Sequence, residues 1–229
     1  MPNANDPAER EIDQEFGETL RKGAVKMGLF LPAAGLERLL AHHRKLLLWA
    51  RKTNLTALKG DQEMAESLYL DSAMMFPFLE PGRRLHDVGS GAGFPGLVLK
   101  GLLPELTVVL SEARQKKVAF LRQTAREMGV GAGLEIRCET VGETRPPRVL
   151  ADEVVSKAAF PPEEWIGLGK ALVRPGGRLW FYSSQRLRLA VPAGWQEETQ
   201  IEYVWPFSGK KKYLCALRFL HPGLPKELV

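Results

Sequence analysis

The chain is poor in cysteine, with two in 229 residues, Cys138 and Cys215. Two thiols make no disulfide framework. Both fall in strand-like segments, where they read as small buried hydrophobes of a reducing compartment. Histidine is also scarce: His42, His43, His86 and His221 share no metal-ligand spacing with cysteines or acids, so no structural metal is expected. No apolar run approaches the ~20 residues that span a bilayer. The opening stretch, "MPNANDPAEREIDQEF", is polar and acidic, unlike a signal or transit peptide. A cytosolic protein without membrane contact is expected. Internal repeats and low-complexity tracts are missing too.

What is there is ordinary for a globular protein: 45% hydrophobic and 26% charged residues, in a length that suits one domain with a sizeable core and an appendage. The net charge of +5 and the pI near 9.2 are compatible with a polyanionic partner but do not demand one.

The pattern divides near residue 80. Residues 9–80 are helical in texture: Leu36, Leu39, Leu40, His43, Leu46, Leu47 and Ala50 recur at three- and four-residue steps. A second helix is expected over Gln62–Leu79 with Met64, Leu68, Met75 and Leu79 inward. The polar "KTNLTALKGD" lies between them, and "PGR" at 81–83 marks a boundary. From residue 81 to 229, short strands ("RRLHDV", "LTVVLSE", "LEIRC", "DEVVSK", "GRLWFY") alternate with helices expected at Gly96–Leu103, Arg114–Met128 and Pro162–Leu172. That alternation predicts an α/β fold, a mostly parallel sheet covered on both faces. The last two strands, "QIEYVWPF" and "KYLCALRF", are joined only by "SGKK", too short for a crossover, and must form an antiparallel hairpin. A parallel sheet finished by an antiparallel C-terminal strand fits a Rossmann-like class I methyltransferase better than a nicotinamide-binding domain.

"LHDVGSGAGFPGLVLK", residues 85–100, brings backbone close to a ligand. Gly91-x-Gly93-x-x-Gly96 satisfies the dinucleotide fingerprint. Asp87-x-Gly89-x-Gly91-x-Gly93 satisfies the acid-then-glycines motif of S-adenosylmethionine (SAM) enzymes. Both frames set the loop between a strand and a helix. SAM carries a sulfonium cation and no phosphate, which makes sense of Asp87, either toward the methionine amino group or as an organiser of the loop. Glu112 ends the second strand about 20 residues past the loop, where a carboxylate accepts from ribose hydroxyls. Both cofactors have a ribose, so Glu112 does not choose between them. The region after the fourth strand, "SKAAFPPEEW", lacks the Asn/Asp-Pro-Pro-aromatic motif of exocyclic-amine methylation. Neither cysteine follows a proline as a pyrimidine-carbon nucleophile usually does.

"WARKTNLTAL", "YLDS", "HDVGSGAGFPGLVLK", "EARQKKVAFLRQ" and "KKYLCALRF" occur, from about residue 35 to 220, in the order and spacing of one family. The chain resembles the bacterial small-subunit ribosomal RNA guanine-N7 methyltransferases, called RsmG or GidB. The resemblance implies transfer of the SAM methyl group to N7 of a guanine in the 530 loop of 16S rRNA. The partner would be 16S rRNA or the 30S subunit, and a monomer is compatible with this. It implies that Gly89 and Phe94 line the methionine and sulfonium side of the cofactor and that Glu112 takes the ribose. Thr140 and Val141 would frame the adenine. Lys157 would stand beside cofactor and substrate in place of the family's arginine, the motif reading Ser156-Lys157-Ala158. Two further departures are Leu68, where a histidine is usual, and "FYSSQ", where a Lys-Gly pair is common.

Basic residues suggest where RNA would lie. Arg114, Lys116, Lys117, Arg122 and Arg126 crowd one helix, and Lys210, Lys211 and Lys212 tip the last hairpin. With Arg51, Lys52 and Lys59 they would form a phosphate track, although each alone reads rather as a solvated charge. Asp71, in "LDS", either caps a helix junction facing the cofactor cleft or serves folding alone. Three other readings remain open on the sequence: a SAM enzyme acting on another RNA, a protein or a small molecule; a nicotinamide oxidoreductase; and a non-catalytic RNA-binding protein.

Overall fold

The computed structural model describes residues 7–50, 60–142 and 150–220. Two long helices come first, α1 (Pro7–Lys26) and α2 (Ala33–Ala50). Helix α2 buries Leu36, Leu39, Leu40 and Leu46, the stripe its spacing predicts.

The expected helix over Gln62–Leu79 is not continuous. It runs as α3 (Asp61–Met64), a π-helix (Ala65–Leu70), α4 (Asp71–Ala73) and a 3₁₀ turn (Phe76–Phe78). The wider π turn shifts the apolar register, so Met64, Tyr69, Leu70 and Met75 face the core while Leu68 is only partly buried. Pro77 in the 3₁₀ turn has no N–H to carry an α-helix onward.

A seven-stranded sheet follows, in the order β3-β2-β1-β4-β5-β7-β6. Its strands are β1 (Arg84–Val88), β2 (Thr107–Glu112), β3 (Leu134–Cys138), β4 (Ala151–Ser156), β5 (Val173–Ser183), β6 (Trp195–Val204) and β7 (Lys211–Phe219). The first five pair in parallel. Strand β7 runs antiparallel to both β5 and β6, the hairpin that the short connection requires. Helices α5 (Gly96–Leu102), α6 (Gln115–Glu127) and α7 (Pro162–Gly169) connect the parallel strands. All six residues of β4 are buried, as a central strand covered on both faces demands.

One apolar cluster runs from Phe16 and Leu20 through Leu39 and Tyr69 to Leu97, Phe120 and Trp180, so the N-terminal helices share a core with one face of the sheet. Trp165, Leu179, Phe181, Trp195 and Leu217 fill the other face. Cys215 belongs to that second core, where burial pushes its thiol up to about 11. Cys138 departs from expectation: it is exposed at the end of edge strand β3. Among the described residues no helix is long and apolar enough to cross a membrane. The strand order reverses between β1 and β4, so a crevice opens at the carboxyl ends of these strands, where open α/β sheets take ligands.

Candidate active site

The crevice is a cleft of about 640 Å³ whose floor is the glycine loop. Gly89, Gly91 and Gly93 all have positive φ, at 74°, 58° and 90°, a region that L side chains avoid. Three of the loop's glycines are also sterically required, Gly93 because a Cβ there would stand 2.8 Å from Leu97 Cδ1. A Cβ on Gly89 would stand 2.9 Å from the Ala159 Cβ, and one on Gly96 would stand 2.7 Å from Asp87 Oδ2. The loop is therefore shaped both by its backbone and by what lies above and below it.

Three elements hold it. From β1, Asp87 Oδ2 accepts the Gly96 N–H at 2.8 Å. From β2, Glu112 Oε2 accepts the Gly91 N–H at 3.0 Å, while its Oε1 accepts the Arg114 N–H at 2.9 Å. From α2, His42 Nε2 lies 2.9 Å from the Ala92 carbonyl oxygen. Asp87 is fully buried, and its Oδ1 has no hydrogen-bond partner among the described residues. Burial raises its carboxyl to about 7, against the opposing pull of the Gly96 N–H.

The far wall is built differently. Lys157, just past β4, directs its ammonium at Asp71 Oδ2 (2.7 Å), the Ser67 carbonyl (2.7 Å) and Ser72 Oγ (3.4 Å). An ammonium has three N–H groups, so each has a protein acceptor. Burial pulls the Lys157 pKa down, and Asp71 opposes the shift. The other oxygen of Asp71 accepts from Tyr203 OH at 2.7 Å and Trp205 Nε1 at 2.8 Å. Glu66 Oε2, in the π-helix, accepts the N–H groups of Phe207 and Ser208. The π-helix is thus tied to the β6–β7 turn at two points. The cleft turns sharply after Lys157: Ala158 has φ 59°, the one non-glycine residue with positive φ among those described, a strained state that clusters at functional sites.

Of the residues singled out from the sequence, Gly89, Gly91, Phe94, Glu112 and Lys157 line the cleft together. Asp87 lies beneath the loop and Gly93 shapes it without reaching the lining. Asp71 is buried behind Lys157. Thr140 is exposed and Val141 packs against the second core; neither is among the described lining residues. Arg122 and Arg126 are exposed on α6, which packs on β2 and β3 at one edge of the sheet. Lys210 and Lys212 lie over the Trp205 ring at the β6–β7 turn, toward the opposite edge. Lys211 is paired with Glu202 at 2.8 Å. The two basic groups are therefore separate, with the cleft between them. Arg51, Lys52, Lys59 and His221 lie outside the described residues.

Residues that the sequence reading missed are Ser90, Ala158 and Ala159 in the lining, and His42, Tyr203 and Trp205 behind it. Lys117 lines the cleft too, although its sequence signal was that of a surface charge.

The relatives agree with this geometry. Residues 35–204 match the family described as GidB, rRNA small subunit methyltransferase G. A ribosomal RNA small subunit methyltransferase G from Anaeromyxobacter dehalogenans (strain 2CP-C) is 38% identical over 170 residues, covering 73% of this chain and 78% of that protein. The protein of the same name from Desulfotalea psychrophila is 32% identical over 217 residues, covering 89% and 99%. Among solved structures, a SAM dependent methyltransferase from Aquifex aeolicus shares the fold at TM-score 0.52 and 17% identity, over 68% of this chain and 92% of that one. These relatives are methyltransferases by name, and the chain belongs to the GidB family of small-subunit rRNA methyltransferases.

Proposed function

We propose that this protein transfers the methyl group of SAM to N7 of a guanine in the 530 loop of 16S rRNA, acting in the cytosol on the RNA or the 30S subunit without a metal. Residues 81–229 are then the methyltransferase core and residues 1–80 its helical extension. The observation that carries the reading is the glycine loop and Glu112 lining one cleft together.

The cleft suits the cofactor. Glu112 spends one acceptor site of each oxygen on a backbone N–H and keeps others for the ribose hydroxyls. Gly89 leaves room that a Cβ would fill against Ala159. The unmatched Asp87 Oδ1 supplies negative character under the loop for a ligand bearing an ammonium and a sulfonium. Thr140 and Val141, which follow Glu139 beside Glu112, are assigned to the adenine.

When bound, SAM supplies an electrophilic methyl, and guanine N7, which has a lone pair and no proton, accepts it without a base. The work left to the chain is alignment, which can supply several kcal/mol, up to roughly 7–11 in well-oriented systems. Lys157 and Asp71 act as a neutralised pair that fixes the wall opposite the loop. Leu68, exposed to the cleft by the π turn, gives that wall an apolar surface. Arg122, Arg126, Lys210, Lys211 and Lys212 are assigned to RNA phosphates on the two flanks.

Labelled SAM, offered with unmethylated 30S subunits, free 16S rRNA and metabolite pools, tests this. Label should enter 16S rRNA, and borohydride reduction with aniline cleavage should cut at one site in the 530 loop. A product methylated at an exocyclic amine or a ring carbon, or label in small molecules alone, overturns it.

A further inference from the structure

A buried imidazole of the helical N-terminal region hydrogen-bonds the glycine loop. His42, on α2, is fully buried. Its Nε2 lies 2.9 Å from the Ala92 carbonyl oxygen, and its Nδ1 lies 2.7 Å from the Tyr69 hydroxyl. A carbonyl oxygen only accepts, so Nε2 carries the hydrogen. The Nδ1 lone pair then accepts from Tyr69 OH, and one neutral tautomer satisfies both contacts. The ring plane is set as well, by edge-on contacts with Tyr69, Phe94 and Phe120 at centroid distances of 5.4, 5.0 and 5.9 Å.

Ala92 sits between Gly91 and Gly93, both at positive φ, in the stretch with the fewest side chains to restrain it. A glycine-rich segment loses more conformational freedom on ordering than any other. Asp87 and Glu112 restrain its N–H groups at Gly96 and Gly91. His42 restrains a carbonyl between them, and it does so from outside the strand–loop–helix unit. A loop held before the ligand arrives spares that ligand the ordering cost.

We propose that His42 is a positioning residue of the cofactor site. Its Nε2–H fixes the Ala92 carbonyl and thereby the glycine loop, so that helix α2 is a working part of cofactor binding. Tyr69 acts one step further back, by fixing the tautomer. This rests on the reading of the cleft as a SAM site, and it adds to that site a residue from the N-terminal helices.

The test uses the full chain and three variants: His42→Phe, His42→Gln and Tyr69→Phe. Phenylalanine keeps an aromatic ring but cannot donate, whereas glutamine offers an N–H. Calorimetry with S-adenosylhomocysteine should show His42→Phe weakened by about 10- to 100-fold, the effect of leaving one buried carbonyl unpaired. His42→Gln should recover part of that loss. Affinity for 16S rRNA alone should stay at the parent value. Amide hydrogen exchange should speed up across residues 89–94 in His42→Phe while β1 and β2 keep their protection. Nitrogen chemical shifts of the imidazole should report the Nε2–H tautomer in the parent and a mixture of tautomers in Tyr69→Phe. That last variant keeps the proposal testable if His42→Phe does not fold. Parent-like ligand affinity and loop protection in folded His42→Phe overturn the assignment while leaving the SAM site intact. Failure of the parent itself to bind S-adenosylhomocysteine removes the cofactor reading and this proposal with it, and the exchange data then still report whether His42 anchors the loop.

Discussion

Two buried aspartates stand at the two ends of one cleft, and they are supplied in opposite ways. Asp71 receives three donors, Tyr203 OH and Trp205 Nε1 on one oxygen and the Lys157 ammonium on the other. Asp87 receives the Gly96 N–H on one oxygen and nothing from the described residues on the other. Lys157 offsets the charge of Asp71, whereas burial forces the Asp87 carboxyl up to about 7. The difference separates two tasks. A wall that must keep its shape pairs both oxygens of its carboxylate internally. The floor keeps one oxygen in reserve, and the protein bears the desolvation cost of a buried carboxyl.

The sharpest way to break the contrast is to remove the paired member. Asp71→Ala leaves a buried ammonium unpaired and orphans two donors, so it should destabilise the fold by roughly 3–5 kcal/mol in urea denaturation. Adding Lys157→Met should return a good part of the loss, because the apolar chain needs no partner. A double variant as unstable as Asp71→Ala would show that the pair is not the cause.

Asp87 should reveal itself through pH. Its folded pKa, about 7, lies above that of an unfolded aspartate, so between the two values the native state holds a proton that the unfolded chain has lost. Stability from this group is therefore full at low pH and falls as pH rises toward 7. Without added cofactor, the parent should lose about 3 kcal/mol relative to Asp87→Asn between pH 5 and pH 8, at 1.36 kcal/mol per pH unit. Parallel stability curves for the two proteins would mean that the carboxylate is already ionised in the fold.

The smallest expected effect concerns the hairpin lysines. Lys211 is engaged by Glu202, while Lys210 and Lys212 rest on the Trp205 ring. Replacing Lys210 or Lys212 with alanine should flatten the salt dependence of RNA binding by about 0.7–0.9 log units each. Lys211→Ala should change it by much less. Equal slopes for all three variants would make the pairing with Glu202 irrelevant to RNA.

The glycine-loop end of the cleft was largely legible in the sequence because its determinants are local. Glycines forced by positive φ at 89, 91 and 93 lie within one turn of chain, and the carboxylates that serve them end the adjacent strands. The sheet and its closing hairpin were legible for a similar reason, since short connections leave few topologies. The opposite wall was not legible. Asp71 meets Tyr203 and Trp205 across separations of 132 and 134 residues, which no local pattern announces. The π-helix was hidden because its residues fit an α-helical stripe until the register slips at Leu68. His42 was weighed in the sequence only as a metal ligand, since a buried imidazole reaching a distant carbonyl leaves no periodic trace. Cys138 was misjudged because strand propensity does not tell an edge from a centre.

The contacts of the β6–β7 turn fix an order of events during synthesis. The anchors of the glycine loop are all present once the chain has been made as far as Arg114, whose N–H completes the Glu112 carboxylate. The wall around Asp71 cannot be completed until Tyr203 and Trp205 have been made. Lys26 then reaches the Pro206 carbonyl across 180 residues of chain. Contacts of such span carry the largest loop-closure cost and are the slow ones to form. A growing chain therefore holds the parts of its glycine-loop floor well before those of the opposite wall, and a two-sided cleft exists only when the last hairpin folds back onto the first helix.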